Sequence, residues 1–216
     1  SDADERARLI RELAALTLEH LVLVAVAVFA ATAAGIPLGI LAVRRARLGH
    51  VELMAVGVLQ TIPALALLCF MIPLLGIGTL PALVALFLYA LLPLVRGPYT
   101  GLATLDRQLL EIAEVLGLDR WRRLVRIELP LASVNVMAGI KTAAVWTVGT
   151  ATLAAFIGGG GYGTLIVRGL ALDDVRTILA GAMPAAVMAL AFHALFEALD
   201  RLVVPRGLRL VMGPRA

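Results

Sequence analysis

Five long stretches almost free of charge decide what this chain can become. They run from Leu21 to Leu41, Leu53 to Leu75, Leu80 to Val95, Leu129 to Ile157 and Ile178 to Leu195, and Lys141 is the one charged residue within them. Uncharged apolar runs of this length read as membrane spans. A soluble domain is usually about 45–50% apolar, whereas this chain is 61% hydrophobic with a mean hydropathy of +0.97. In hydrocarbon every backbone polar group must be satisfied within the protein, so such spans are helices. The expected fold class is an all-α integral membrane protein with about five transmembrane helices.

Around these spans three regions are expected. Residues 1–20 form an N-terminal segment outside the membrane or at its interface, where Leu9, Ile10, Leu13, Leu16 and Leu18 suggest a short amphipathic helix. Residues 21–204 hold the transmembrane domain, and 205–216 a basic tail. Gly35, Pro37 and Gly39 are read as interrupting the first run, and Pro63 as loosening the second. The second run closes in a turn at Gly76-Ile77-Gly78, and the third ends at Arg96. The fourth ends in Gly158-Gly159-Gly160-Gly161-Tyr162-Gly163. This matches Gly-x-Gly-x-x-Gly but lacks the strand–turn–helix setting of a dinucleotide site, so it reads as a turn.

The net charge of +4 and isoelectric point near 10.0 would suggest nucleic acid in a soluble protein. Here the arginines flank apolar spans, so a lipid bilayer and no nucleic acid is the expected partner. Five spans put the termini on opposite sides. Arg44, Arg45, Arg47, the arginines of 107–126, Arg201, Arg206, Arg209 and Arg215 share one side. Arg6, Arg8, Arg11, Arg168 and Arg176, on the other, are offset by Asp2, Asp4, Glu5, Glu12, Asp173 and Asp174. The positive-inside bias then puts the N-terminus outside and the C-terminus in the cytoplasm. The start lacks the basic-then-apolar order of a cleavable signal, so the first span is expected to insert the protein itself. Cys69 is the single cysteine and reads as a buried packing residue; it can form no disulfide framework or cysteine metal cluster.

The strongly charged interval is Glu111 to Pro130, inside a hairpin of about 104–130. Leu105, Leu109, Ile112 and Leu116 fall three and four apart and make one apolar stripe on a first helix. Gly117 stands where a left-handed cap would end it, with Leu118 folding back. Asp119 suits the N-cap of a second helix bearing Trp121, Leu124 and Val125 on one side, and Pro130 either breaks that helix or opens the next.

This interval resembles the cytoplasmic loop of binding-protein-dependent ABC importer permeases, in which Glu-Ala-Ala precedes Gly and then Ile-x-Leu-Pro at fixed spacing. Glu111, Ala113, Gly117, Ile127, Leu129 and Pro130 match; Ile112 replaces the central Ala. The resemblance implies a type I importer permease fold in which this helix–turn–helix couples to an ATPase subunit. It also implies a second permease subunit, alike or a sibling, a separate extracytoplasmic substrate-binding protein, and residence in a prokaryotic inner membrane.

The chain itself carries no nucleotide loop: Lys141-Thr142, the only lysine followed by a hydroxyl residue, is preceded by Gly139-Ile140 rather than Gly. It is therefore expected to be no enzyme and to bind no cofactor, with ATP and magnesium held by the partner ATPase. His20, His50 and His193 show no metal spacing, although His193 and Glu197, four apart, could relay a proton or simply bond at a helix end. Serine is limited to Ser1 and Ser133, with no Gly-x-Ser-x-Gly. Lys141 at mid-membrane costs about 3 kcal/mol on insertion scales, and it either snorkels toward the hairpin or lines a conduit. Gln60 and Thr61, polar at membrane depth, either cross-link helices or line the same path.

Leu59-Gln60-Thr61-Ile62-Pro63-Ala64-Leu65-Ala66-Leu67-Leu68, Ile72-Pro73-Leu74-Leu75-Gly76-Ile77-Gly78, Leu88-Tyr89-Ala90-Leu91-Leu92-Pro93 and Gly149-Thr150-Ala151-Thr152-Leu153-Ala154-Ala155-Phe156-Ile157-Gly158 are similar to permeases of osmoprotectant importers. That likeness implies glycine betaine, choline, carnitine or related quaternary amines as cargo. A cation–π cage needs clustered rings, and none can be assembled from a sequence only 5% aromatic. Alternating access, with bending at Pro37, Pro63 and Pro93, is the expected mechanism. An ABC permease for another solute, such as amino acids or metals, and a carrier or channel needing no ATPase are the alternatives.

Overall fold

A computed structural model describes residues 2–204. The basic tail at 205–216, and the charges expected at Asp2, Asp4, Glu5, Arg6 and Arg47, lie outside the described residues or side chains. Among the described residues nine α-helices follow in order: α1 Asp2–Arg44, α2 Ala46–Thr61, α3 Ala64–Leu75, α4 Thr79–Ala103, α5 Arg107–Val115, α6 Arg120–Arg123, α7 Leu129–Ala151, α8 Gly163–Leu172 and α9 Val175–Val203. A π-helical turn, Leu124–Glu128, joins α6 to α7, and a 3₁₀ segment, Thr152–Ile157, follows α7. No strand occurs among the described residues.

α1, α4, α7 and α9 are each long and apolar enough to cross a membrane. The fifth crossing is broken: α2 and α3 meet at a bend of 101°. Two contacts show that this pair passes from one end of the bundle to the other. Before it, Arg44 pairs with Glu128 at the end bearing the 104–128 hairpin. After it, the Gly78 N–H donates to the Ile157 carbonyl at the far end (2.8 Å). The break falls at Ile62 and Pro63, where proline cannot supply a helical N–H.

The first run behaves differently from its sequence reading. α1 continues through Gly35, Pro37 and Gly39, and residues 2–20 are its own first turns rather than a separate interfacial helix. At 43 residues it spans about 65 Å, twice the hydrocarbon thickness. The glycines serve packing instead of interruption. A Cβ on Gly35 would stand 2.7 Å from the Leu94 Cβ, and one on Gly39 2.4 Å from the Val95 carbonyl oxygen. Small residues four apart let two helix backbones touch, which is how helices gain van der Waals contact when lipid offers no hydrophobic drive. α4 uses the same device on its other face, where a Cβ on Gly97 would stand 2.7 Å from the Asn135 carbonyl of α7. α4 also runs beyond Arg96 to Ala103, straight through Pro93 and Pro98. Of the three prolines expected to bend the spans, Pro63 alone sits at a break; helices α1 and α4 run on through Pro37 and Pro93.

The core forms where α1, α3, α4 and α7 meet, around Leu23, Val24, Leu68, Ala82, Leu86, Ala144 and Val148. Cys69 lies on the outer face of α3 and is exposed, not buried. At the far end the glycine run doubles back, with Gly158, Gly160 and Gly161 at positive φ. It is tied to α1 by polar contacts: Gly161 N–H to Glu19 Oε2 (3.0 Å), Tyr162 N–H to His20 Nδ1 (3.3 Å) and Tyr162 Oη to Thr17 Oγ1 (2.8 Å). Because Nδ1 of the fully buried His20 accepts, its Nε2 carries the proton and donates to the Val148 carbonyl (3.0 Å). One histidine thus joins α1, α7 and the glycine run.

Candidate functional site

The hairpin between α4 and α7 is built by local chemistry. Asp106 caps α5 by accepting from the Gln108 N–H (2.9 Å). At its other end α5 closes in a Schellman motif: Leu118 N–H reaches the Ala113 carbonyl (3.1 Å) and Gly117 N–H the Glu114 carbonyl (3.0 Å). The motif requires a left-handed residue, and Gly117 has φ +80. Asp119 then caps α6 through the Arg122 N–H (2.7 Å).

Ala113 is the one buried residue of α5, facing inward. Ile112 and Leu116 of the apolar stripe turn the other way, 58% and 74% exposed, and Val115, outside the stripe, joins them at 87%. Trp121 and Val125 are exposed too, while Leu124 packs with Leu102 and Ala132. Glu111 borders the exposed ridge. Ile127, Leu129 and Pro130 are half-buried at the base, and Pro130 sits in the first turn of α7, where its missing N–H costs nothing. The second helix is therefore not broken there; it passes through the π turn into α7.

That π turn holds a residue the sequence reading passed over, the variable position of Ile-x-Leu-Pro. Glu128 is 3% exposed. Its Oε2 accepts from Arg44 at the end of α1 (2.6 Å) and its Oε1 from Arg123 at the end of α6 (2.9 Å). Arg123 also reaches Glu114 of α5 (3.4 Å). A π turn widens the helix by one residue and is often found at functional sites; here it carries a carboxylate inward between two guanidinium groups. The available signal was an acidic residue amid arginines at the edge of a span.

The residues expected on a path separate. Gln60, the next-to-last residue of α2, donates to the Tyr89 carbonyl of α4 (3.0 Å) and lines a cleft of about 550 Å³ with Tyr89, Val145, Trp146, Thr147, Gly149 and Thr150. Thr61 bonds back to the Val58 carbonyl (2.7 Å) and does not line that cleft. Lys141 lies elsewhere and pairs with Glu197 of α9 (2.6 Å). This partner gives the mid-span lysine a counter-charge, and His193, one turn away on α9, also acts on Glu197 electrostatically.

Removing one member of an ion pair in low dielectric leaves the other uncompensated, whereas removing both need not destabilise. Lys141→Met and Glu197→Met are each expected to lower the melting temperature of the purified protein. The double variant should recover most of the loss, which a double-mutant cycle would read as coupling between the two positions. Additive losses would show that the pair contributes nothing.

Among the described residues, five crossings, a broken second span, an uncharged cleft at that break and a capped hairpin projecting an apolar ridge define a transport permease with an external handle. The comparisons with known proteins agree. The family model for the binding-protein-dependent transport system inner membrane component matches residues 35–208. The glycine betaine/carnitine/choline transport system permease protein OpuCB of Bacillus subtilis is 40% identical over 191 residues, 88% of each chain. The osmoprotectant import permease protein OsmW of Salmonella typhimurium is 42% identical, covering 91% of this chain and 94% of that one. Among solved structures, an inward-facing form of the MetNI methionine ABC transporter aligns with a TM-score of 0.84 over 92% of this chain and 99% of that chain, at 19% identity, a likeness of fold alone.

The chain belongs to the family of binding-protein-dependent transport system inner membrane components, the permease subunits of ABC importers. It is accordingly a multi-pass inner-membrane protein of type I permease fold, and its family works with a separate ATPase and a substrate-binding protein.

Proposed function

We propose that this chain forms the translocation path of an importer for quaternary ammonium osmoprotectants such as glycine betaine, choline or carnitine. The observation that carries this reading is its similarity of about 40% over nearly the whole chain to permeases named for those solutes. ATP and magnesium bind the ATPase subunits, and two permease subunits, alike or sibling, enclose the path. The hairpin fits a groove on the ATPase: Glu111 and Ala113 shape α5, Gly117 turns the chain, and Ile127, Leu129 and Pro130 hand its motion to α7.

Charge supports a cytoplasmic hairpin. Arg44, Arg45, Arg96, Arg107, Arg120, Arg122, Arg123, Arg126 and Arg201 gather at the hairpin end. At the far end the described arginines are Arg8, Arg11, Arg168 and Arg176, fewer than half as many. ATP closure then pulls the hairpin, and the spans rock as units about the break at Pro63.

Two measurements test the reading. The complete complex in proteoliposomes, with its binding protein outside and ATP inside, should accumulate labelled choline or glycine betaine; uptake of neither would end the substrate assignment. For orientation, Cys69→Ser removes the only native cysteine, and a new cysteine at Gln108 should react with impermeant maleimide only after the cells are opened. Labelling in intact cells would reverse the topology.

A further inference from the structure

The cleft at the broken span unites the two aromatic residues that the sequence leaves 57 positions apart, Tyr89 and Trp146. Its volume of about 550 Å³ lies within the roughly 300–1,000 Å³ usual for small-molecule sites. Along α4, Tyr89 stands about 15 Å from Thr79 and about 21 Å from Ala103. Along α7, Trp146 stands about 26 Å from Leu129. The cleft therefore opens in the middle to far part of the bundle, away from the hairpin.

Its lining is uncharged. Thr147 and Thr150 spend their hydroxyl protons on the Ala143 and Trp146 carbonyls. Gln60 spends one amide proton on the Tyr89 carbonyl, which leaves a second N–H and an amide oxygen. The Tyr89 hydroxyl donates to the Ile62 carbonyl, the first backbone group past the end of α2. The tyrosine ring is thus fixed to the bend itself. Trp146 is 56% exposed, although the indole is among the largest apolar groups in the chain. Irregular backbone at membrane depth is tolerated where it lines a cavity.

A quaternary ammonium group has no N–H to donate and a diffuse positive charge. A carboxylate would hold it too long, and a purely aliphatic wall would not attract it. Aromatic faces attract it with moderate strength, and conduction requires binding weak enough to release. We propose that Trp146 and Tyr89 form a transit site for the quaternary ammonium headgroup, with the remaining Gln60 N–H directed to the carboxylate or hydroxyl of the same solute. This rests on the osmoprotectant reading of the chain and adds the place where the permease itself recognises its cargo. Because Tyr89 is bonded at the bend, any change of angle between α2 and α3 moves one wall of the site and so links release to rocking.

Trp121 and Trp146 are the chain's two tryptophans, so Trp121→Phe leaves Trp146 as its sole indole reporter. The full-length permease in lipid nanodiscs is titrated with choline and with 3,3-dimethylbutan-1-ol, the same shape without the charge. Choline should quench the fluorescence saturably at millimolar concentration, and the neutral isostere should respond at least about fivefold more weakly. In the reconstituted complex, Trp146→Leu should cut choline uptake about fivefold or more at saturating binding protein. Trp146→Phe should recover most of that loss, and both variants should keep the wild-type melting temperature. Equal quenching by the two compounds, no quenching, or Leu equal to Trp in uptake would overturn the site. If the unaltered complex moves no quaternary amine at all, the substrate reading fails, and the fluorescence titration alone then decides the site.

Discussion

Replacing Glu128 with alanine is expected to uncouple this permease from its motor while leaving the two joined. Glu128 is one carboxylate shared by three elements: Arg44 closes α1, Arg123 closes α6, and Glu128 leads into α7. Deleting it leaves two guanidinium groups facing one another, with Arg123 keeping its longer contact to the exposed Glu114 (3.4 Å). Breaking a buried ionic pair from one side costs about 3–5 kcal/mol. The lower end applies here because the Arg44 side chain is 34% exposed and partly screened. The loss should lower the melting temperature by several degrees. The functional loss should be larger, since the hairpin then moves without α1 following it. ATP hydrolysis by the assembled complex is expected to continue, and solute imported per ATP to fall about tenfold. Glu128→Gln keeps the shape and accepts one guanidinium bond, so it should fall between. Arg44→Met should be milder than Glu128→Ala, because Arg123 remains to compensate the carboxylate. A Glu128→Ala complex with the wild-type ratio of uptake to hydrolysis would reduce this cluster to a structural detail.

What the sequence made legible, and what it hid, follow from the range of the interactions. The caps of the hairpin were readable because each is settled within a few residues. Gly117 needs a positive φ at the close of α5, and Asp119 needs three residues to reach the Arg122 N–H. The ion pairs were not, because Lys141 and Glu197 are 56 positions apart and Arg44 and Glu128 are 84 apart. No periodicity joins such residues before the helices are packed. The cleft was hidden for the same reason, and the scarcity of rings in the composition argued against it. Gly35, Pro37 and Gly39 misled in another way. In water a glycine or proline inside a helix frees backbone groups that solvent can take, which favours a break. In lipid the broken state has no solvent partner, so the helix persists and the glycines become the seam along which α1 meets Leu94 and Val95. Cys69 misled because an apolar run does not say which of its faces turns inward. The direction of the apolar stripe on α5 was likewise open: period alone marks a face, and only the fold turns that face outward.

That outward face carries the second large effect. Val115→Asp is expected to release the permease from its ATPase subunit without unfolding it. Val115 is 87% exposed and contributes almost nothing to the interior, so surface substitutions of this kind usually change stability by less than about 0.5 kcal/mol. The same side chain stands on an exposed ridge with Ile112 and Leu116, the kind of apolar anchor that fills a partner's pocket. A carboxylate placed there must be desolvated without a partner, and Glu111 and Glu114 beside it add like charge. Loss of such an anchor typically costs about 2 kcal/mol or more, some thirtyfold in affinity. Copurification of the ATPase subunit should therefore disappear, and ATP-driven uptake with it. The variant should keep the melting temperature of the unaltered permease. Val115→Leu, equally exposed and still apolar, should copurify as before. Gly117→Ala separates shape from chemistry at the same tip. It retains the ridge but strains a residue held at φ +80, at a cost of about 1–2 kcal/mol, so it should weaken association less than the aspartate does. Were Val115→Asp to copurify at full strength, the ATPase would have to grip the chain at some other surface, and the ridge would need another occupant.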